Sequence, residues 1–104
     1  MNQILMTEEF ERWLKKLGSK DAIAHGRVLT RMDRATKGNF GDCEPVGQGV
    51  SEMRIDHGPG YRIYFYKMGE IIYLLLLGGD KATQAKDIAK AKSLARAYMA
   101  PRTD

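Results

Sequence analysis

A chain of 104 residues, 43% of them hydrophobic, can bury one compact core but is too short for two ordinary domains, so a single domain over residues 1–104 is expected. The longest apolar run, Ile71 to Leu77, falls far short of the roughly 20 residues of a membrane-crossing helix. Lys and Arg number 17 against 13 Asp and Glu, for a net charge of +4, a balance that suits a polyanion such as RNA or an acidic protein partner and equally a basic solvated surface. Met1 to Met6 carries neither the charged segment nor the small-residue cleavage site of an export signal, and the lone Cys43 has no Cys or His at zinc-ligand spacing. Both features point to the cytoplasm, away from a membrane, and against a structural metal.

In chain order, Gln3 to Met6 is expected to form a first or edge strand. Thr7 then reads as an N-cap, with Glu8 and Glu9 in the first turn, where the helix dipole favours negative charge. Phe10, Trp13, Leu14 and Leu17 follow at i, i+3, i+4 and i+7 and predict an amphipathic helix, which Gly18 is placed to end. Ser19 is the expected cap of a second helix reaching about Lys37, with His25, Val28, Leu29, Met32 and Ala35 on its inner side and Arg27, Arg31 and Arg34 on its outer one. The stretch from Gly38 to Gly49, rich in Gly, Asn, Asp and Pro, predicts a loop with a short strand near Val46. Strands are expected at Val50–Asp56 and Arg62–Lys67, which alternate, and at Ile71–Leu77, which is apolar on both faces and suits a central position. Met68 and Gly69 supply a turn, and Gly78 and Gly79 are expected to stop the last strand. A final helix over Ala82–Met99 buries Ile88, Ala91, Leu94, Ala95 and Tyr98, with Pro101 just beyond its end. The order predicts an α+β domain: helices packed on one side of a small twisted, mainly antiparallel sheet, with the other face free for a site.

The hairpin "GVSEMRIDHGPGYRIYF", Gly49 to Phe65, carries the chemistry. Alternation puts Glu52, Arg54 and Asp56 on one face, and Arg62, Tyr64 and Tyr66 on the returning strand join them. The expected register pairs Asp56 with Arg62, Arg54 with Tyr64 and Glu52 with Tyr66 across a loop from His57 to Tyr61. Two arginines beside two phenols suit a phosphodiester, because a guanidinium binds phosphate oxygens in pairs and aromatic rings stack on splayed bases. A polar, half-exposed strand face tied by a cross-strand ion pair explains the same residues. Gly78-Gly79-Asp80-Lys81 lacks the G-x-x-x-x-G-K-[ST] spacing of a nucleotide-binding loop.

Taken together, E-x-R on one strand, G-P-G-Y-R-x-Y-F on the next and G-G-D-K after "IIYLLLL" resemble the RelE/ParE superfamily of toxins from type II toxin–antitoxin modules, in particular its HigB-like addiction-module killer branch. The resemblance covers essentially the whole chain. It implies the RelE-like toxin fold, with two N-terminal helices and a C-terminal helix on the sheet, and a toxin that binds the ribosome and cuts mRNA by 2′-OH attack without a metal or other cofactor. A cognate antitoxin, typically a helix-turn-helix protein, would neutralise it. Such chemistry needs a base for the 2′-OH, cations for the charge gathering on phosphorus, and an acid for the departing 5′-oxygen. Carried over by motif, Arg62 and then Arg54 would stabilise the phosphate, Glu52 would be the base, Lys81 a further cation, and Tyr64 a proton donor or stacking ring. Tyr66 and His57 would contact RNA, and Arg27, Arg31 and Arg34 would follow ribosomal RNA phosphates in a salt-dependent way. For each of these a plain surface role is the alternative. "GGDKATQAKDI" departs from the family pattern in having no His or Tyr to serve as the acid. A ParE-like poison of DNA gyrase and a degenerate toxin that only binds its antitoxin are the competing readings.

Overall fold

The computed structural model describes residues 1–99, and Pro101 lies outside that range. Its elements run β1 (Gln3–Met6), α1 (Glu8–Lys20), α2 (Ala22–Thr36), β2 (Cys43–Gly47), β3 (Val50–Ile55), β4 (Tyr61–Lys67), β5 (Ile72–Asp80), a single 3-10 turn (Lys81–Thr83) and α3 (Gln84–Met99). The five strands form one mixed sheet in the order β1-β5-β4-β3-β2. β1 runs parallel to β5, and the other neighbours are antiparallel. The class is α+β, with three helices on a five-stranded sheet.

Thr7 shows how a local signal becomes a tertiary one. Its hydroxyl accepts from the Phe10 N–H at 3.0 Å, capping α1, and donates to the Leu76 carbonyl at 2.7 Å, pinning the start of the helix to β5. Phe10 and Leu17 are buried from α1, with Trp13 and Leu14 packed beside them, as the stripe requires. The helix does not end at Gly18. It continues to Lys20, and Asp21, not Ser19, is the junction: its N–H donates to the Leu17 carbonyl while its carboxylate accepts from the Ala24 N–H at 3.0 Å. Gly18 serves packing instead, because a Cβ there would come within 3.2 Å of the His25 ring. On α2, Ala24, Val28 and Ala35 are buried, whereas Leu29 is 44% exposed and lies off the packed stripe.

Helices cover both faces of the sheet, not one. On one face α1 and α2 pack against Met53, Ile55, Ile63, Phe65 and Leu75, and on the other α3 lays Ala91 and Ala95 on Val50, Tyr64, Tyr66, Leu74 and Leu76. The small residues of α3 are the reason: two alanines at i, i+4 bring its axis close to large phenols below. Tyr98, predicted in that stripe, is 49% exposed. The face expected to be free is therefore open only beyond the N-terminal end of α3.

Gly78 and Gly79 do not stop β5, which runs on to Asp80. A Cβ on Gly78 would collide with the Trp13 indole, and one on Gly79 with the Asp87 carboxylate. These glycines let side chains from α1 and α3 settle onto the strand. A register shift between Tyr64 and Phe65 on β4, opposite Leu77 and Leu75, leaves Leu76 as the extra residue, and Leu76 and Leu77 both join the α3 side.

Candidate functional site

The β3–β4 register differs from the expected one by two residues, which preserves the faces and changes the partners. Arg54 lies opposite Arg62, Glu52 opposite Tyr64 and Val50 opposite Tyr66. The loop sets this: the His57 N–H bonds the Ile55 carbonyl, the Gly60 N–H bonds the His57 carbonyl, and Gly58 and Gly60 take φ of 55° and 79°. Ile55 is thereby brought opposite Tyr61.

Like charges facing each other across a ladder repel, and this sheet contains two such pairs side by side: Arg54 with Arg62, and Glu44 of β2 with Glu52. Interleaved, they become attractive. Glu52 Oε1 lies 3.3 Å from Arg62 Nη1, its Oε2 lies 3.7 Å from Arg54 Nε, and Arg54 Nη2 reaches Glu44 Oε2 at 2.6 Å. The Tyr64 hydroxyl and the Gln84 amide also donate to Glu52 Oε1, at 3.3 and 2.9 Å. Glu52 is thus a buried carboxylate, 3% exposed, ringed by two cations, a phenol and an amide. Arg62 and Arg54 each keep a buried Nε–H without a hydrogen-bond partner. Arg31, outside this cluster, keeps a third, and such orphaned donors are uncommon in folded proteins.

Arg54 and Arg62 line a cleft of about 290 Å³ together with Lys81, Gly60, Tyr61 and two acidic residues, Asp42 and Asp56. The structure therefore brings Lys81, from beyond β5, to the cluster of Glu52, Arg54 and Arg62 that the β3–β4 hairpin gathers. It does not leave Tyr64 and Tyr66 able to stack on a base. Tyr64 is fully buried and Tyr66 is 4% exposed beneath α3. Burial raises both phenols above their ordinary pKa, with the Glu52 carboxylate adding to the effect at Tyr64 and Tyr98 adding at Tyr66. Glu52, enclosed by two guanidiniums, a phenol and an amide, sits where it orients cations and is not open to a substrate hydroxyl.

The other expected contacts separate. Arg31 is not a solvated stripe residue: its guanidinium donates to the carbonyls of Arg54 (2.5 Å), Phe40 (2.7 Å) and Asp42 (3.2 Å), fastening the segment before β2 to the end of β3. Burial lowers its pKa, and Asp42 opposes the shift. Arg27 and Arg34 are exposed and line a separate groove of about 640 Å³ along α2, which meets the cleft at Ile55 and Asp56. His57 turns away from the cleft, placing Nε2 3.4 Å from Asp21 Oδ2, to which the Tyr61 hydroxyl also points at 3.4 Å. The Ala24 N–H bond to Asp21 is the main cause that holds its carboxyl below the usual range, with His57 and Tyr61 adding to it against burial. Burial and Asp21 raise the Tyr61 phenol.

Glu44, Asp42 and Gln84 belong to the site and were not among the expected residues. Glu44 and Asp42 lie in a stretch whose Gly and Pro content signals a loop, and Gln84 is one of several polar residues after the last strand. Only the opposition of Glu44 to Glu52 carries a signal, and that requires the β2–β3 register.

A protein of Haemophilus influenzae described as uncharacterized is 46% identical over 94 residues, spanning 90% of this chain and 93% of its own length. The two chains belong to one family. No protein-family model matches the chain, and no solved structure matches it. Among the described residues, no helix is long and apolar enough to cross a membrane.

Proposed function

We propose that this chain is the toxin of a type II toxin–antitoxin module, of the RelE/ParE kind, acting as a ribosome-dependent mRNA endoribonuclease. The observation that carries the proposal is the facing pair Arg54 and Arg62, held on one carboxylate beside a cleft that Lys81 also lines. In the reaction the 2′-oxygen attacks phosphorus as its proton passes to a base, the bond to the 5′-oxygen breaks as that oxygen takes a proton from water, and a 2′,3′-cyclic phosphate and a 5′-hydroxyl end result. Negative charge grows on the non-bridging oxygens, where the two guanidiniums and Lys81 would meet it. Glu52, Gln84 and Tyr64 act as positioning residues, fixing the guanidiniums before substrate arrives. Glu44 occupies the exposed side of Arg54 and would be displaced by the phosphate. Asp42 and Asp56, the acidic residues that line the cleft, would be the proton acceptors in place of Glu52.

Brief induction followed by mapping of new mRNA 5′ ends tests the proposal. Cuts within translated frames that disappear in Arg62→Ala support it, and their absence from the wild-type chain overturns it. The enclosure of Glu52 and Tyr64 favours one second reading, a degenerate toxin that keeps only the binding of its antitoxin. That reading predicts antitoxin binding without cuts. Accumulated gyrase–DNA cleavage complexes would point instead to the ParE-like action.

A further inference from the structure

The groove along α2, about 640 Å³, plays no part in the chemistry above. Arg27, Arg31 and Arg34 line it against one acidic residue, Asp56, and among the described residues none of the three arginines forms an ion pair. Arg31 is turned inward onto three backbone carbonyls. Arg27 and Arg34 are the cations left exposed, seven residues and two turns apart on one face of the helix, about 10 Å along its axis. The lining is otherwise partly apolar, with Ile55 and with Ile23, which is 65% exposed. Gly26 also lines the groove and is an independent observation. A glycine inside a helix weakens it relative to alanine, yet a Cβ on Gly26 would meet no atom within 4 Å outside its own helix backbone among the described residues. Gly18, Gly78 and Gly79 each make room for a neighbouring side chain, whereas Gly26 makes room for nothing in this chain.

We propose that this groove docks an acidic amphipathic helix of a partner protein. Two carboxylates seven residues apart on that helix meet Arg27 and Arg34, apolar side chains on the same face cover Ile23 and Ile55, and the missing Cβ of Gly26 lets the two helices approach closely. RNA matches the lining less well. The middle arginine is occupied, Asp56 opposes a phosphate, no aromatic ring lines the groove for a base to stack on, and a phosphodiester backbone has no apolar group to cover an isoleucine. The inference goes beyond the RNA-cleaving reading, since it needs the groove and not the chemistry. Groove and cleft share Ile55 and Asp56, so a helix lying there stands at the edge of the arginine cleft.

The probe is a fluorescein-labelled, alanine-based peptide of about 18 residues, long enough to hold a helix, with two glutamates seven residues apart and leucines on the same face. A control peptide carries glutamines in their place. Anisotropy titrations with the full chain should show saturable binding of the acidic peptide and at least about tenfold weaker binding of the control. Arg27→Glu/Arg34→Glu should weaken the acidic peptide by about tenfold or more. Gly26→Leu should do the same by filling the space the helix needs, while its melting temperature holds or rises because leucine favours a helix, which separates lost docking from misfolding. No saturable binding, equal binding of the two peptides, or binding unchanged in either variant overturns the inference. An oligouridine that loses affinity in the double variant where the acidic peptide does not would overturn it in favour of RNA. A dimer of the chain in sedimentation that the double variant abolishes would overturn it in favour of a second copy. Acidic-peptide binding that both variants reduce, in a chain that cuts no mRNA, overturns the interferase reading and leaves the docking site standing.

Discussion

Glu52→Gln tests the interleaved charges at the centre of the site. The substitution keeps shape and an oxygen for Tyr64 and Gln84, and removes only the charge between two guanidiniums that the ladder sets face to face. The Glu52 and Arg62 side chains are 4% and 12% exposed, and their charged atoms are 3.3 Å apart. At an effective dielectric of about 20, that separation corresponds to a gross attraction of roughly 5 kcal/mol. Part is offset by the desolvation that the pair no longer needs, and leaving one partner of a buried pair uncompensated costs about 3–5 kcal/mol in measured cases. Arg54 is 30% exposed and retains Glu44, so its share is smaller. A net loss of about 3 kcal/mol is expected, against a total stability of roughly 5–15 kcal/mol for a domain of this size. The variant should fold and melt more than about 10 °C lower. Urea unfolding of Glu52→Gln, Arg62→Met and the double variant measures the coupling. The double variant should recover part of the loss, because a neutral pair needs no counter-charge. A cost for Glu52→Gln below about 1 kcal/mol, or the same cost with and without Arg62, would refute the idea that the carboxylate holds the cations.

Gly78→Ala should destabilise the fold by about 1–3 kcal/mol, since its Cβ would enter the Trp13 indole and the ring must shift. Urea unfolding checks this, and a change within about 0.5 kcal/mol would show that the ring moves freely. The alkaline limb of stability should be steep. The folded-state pKa values of Tyr61, Tyr64 and Tyr66 lie above the usual one, so their contribution is complete below pH about 10 and is lost as pH rises through those folded values. Phenolate absorbance should accordingly lag behind that of the chemically unfolded chain. The acid limb has the opposite sign: the Asp21 carboxyl lies below its unfolded value of about 3.9, so its contribution is present above that pH and fades as pH falls through the folded value. Thermal melts of Asp21→Asn between pH 2 and 6 should show a flatter limb than the wild type, and an unchanged slope would show that Asp21 contributes nothing there.

What could be read early was periodic. The stripe from Phe10 to Leu17, the alternation of β3 and β4 and the apolar run of β5 each express a repeat of 3.6 or 2 that burial imposes on neighbours in the chain. The residues brought to the cleft were legible for the same reason: alternation alone puts Glu52, Arg54 and Arg62 on one face. Glycine misled, because its two uses look alike in sequence. Gly18 and Gly78-Gly79 resemble terminators, yet each marks a place where another element approaches the backbone. Asp21 outranked Ser19 as a cap because its carboxylate also gathers Tyr61 and His57 from 40 and 36 residues away, which no local rule contains.

The sequence by itself determined the class, the order of elements and the face on which the arginines stand, since those follow from contacts between residues close along the chain. The tertiary structure alone decided that α3 packs on part of that face, that the hairpin pairs Arg54 with Arg62, and that Glu52 is shut in between them. Those outcomes depend on how a five-residue loop closes, from Asp56 to Gly60, and on how closely two alanines let a helix approach a sheet. Both are balances among distant groups, and a shift of two residues in register leaves every periodic signal in the sequence unchanged.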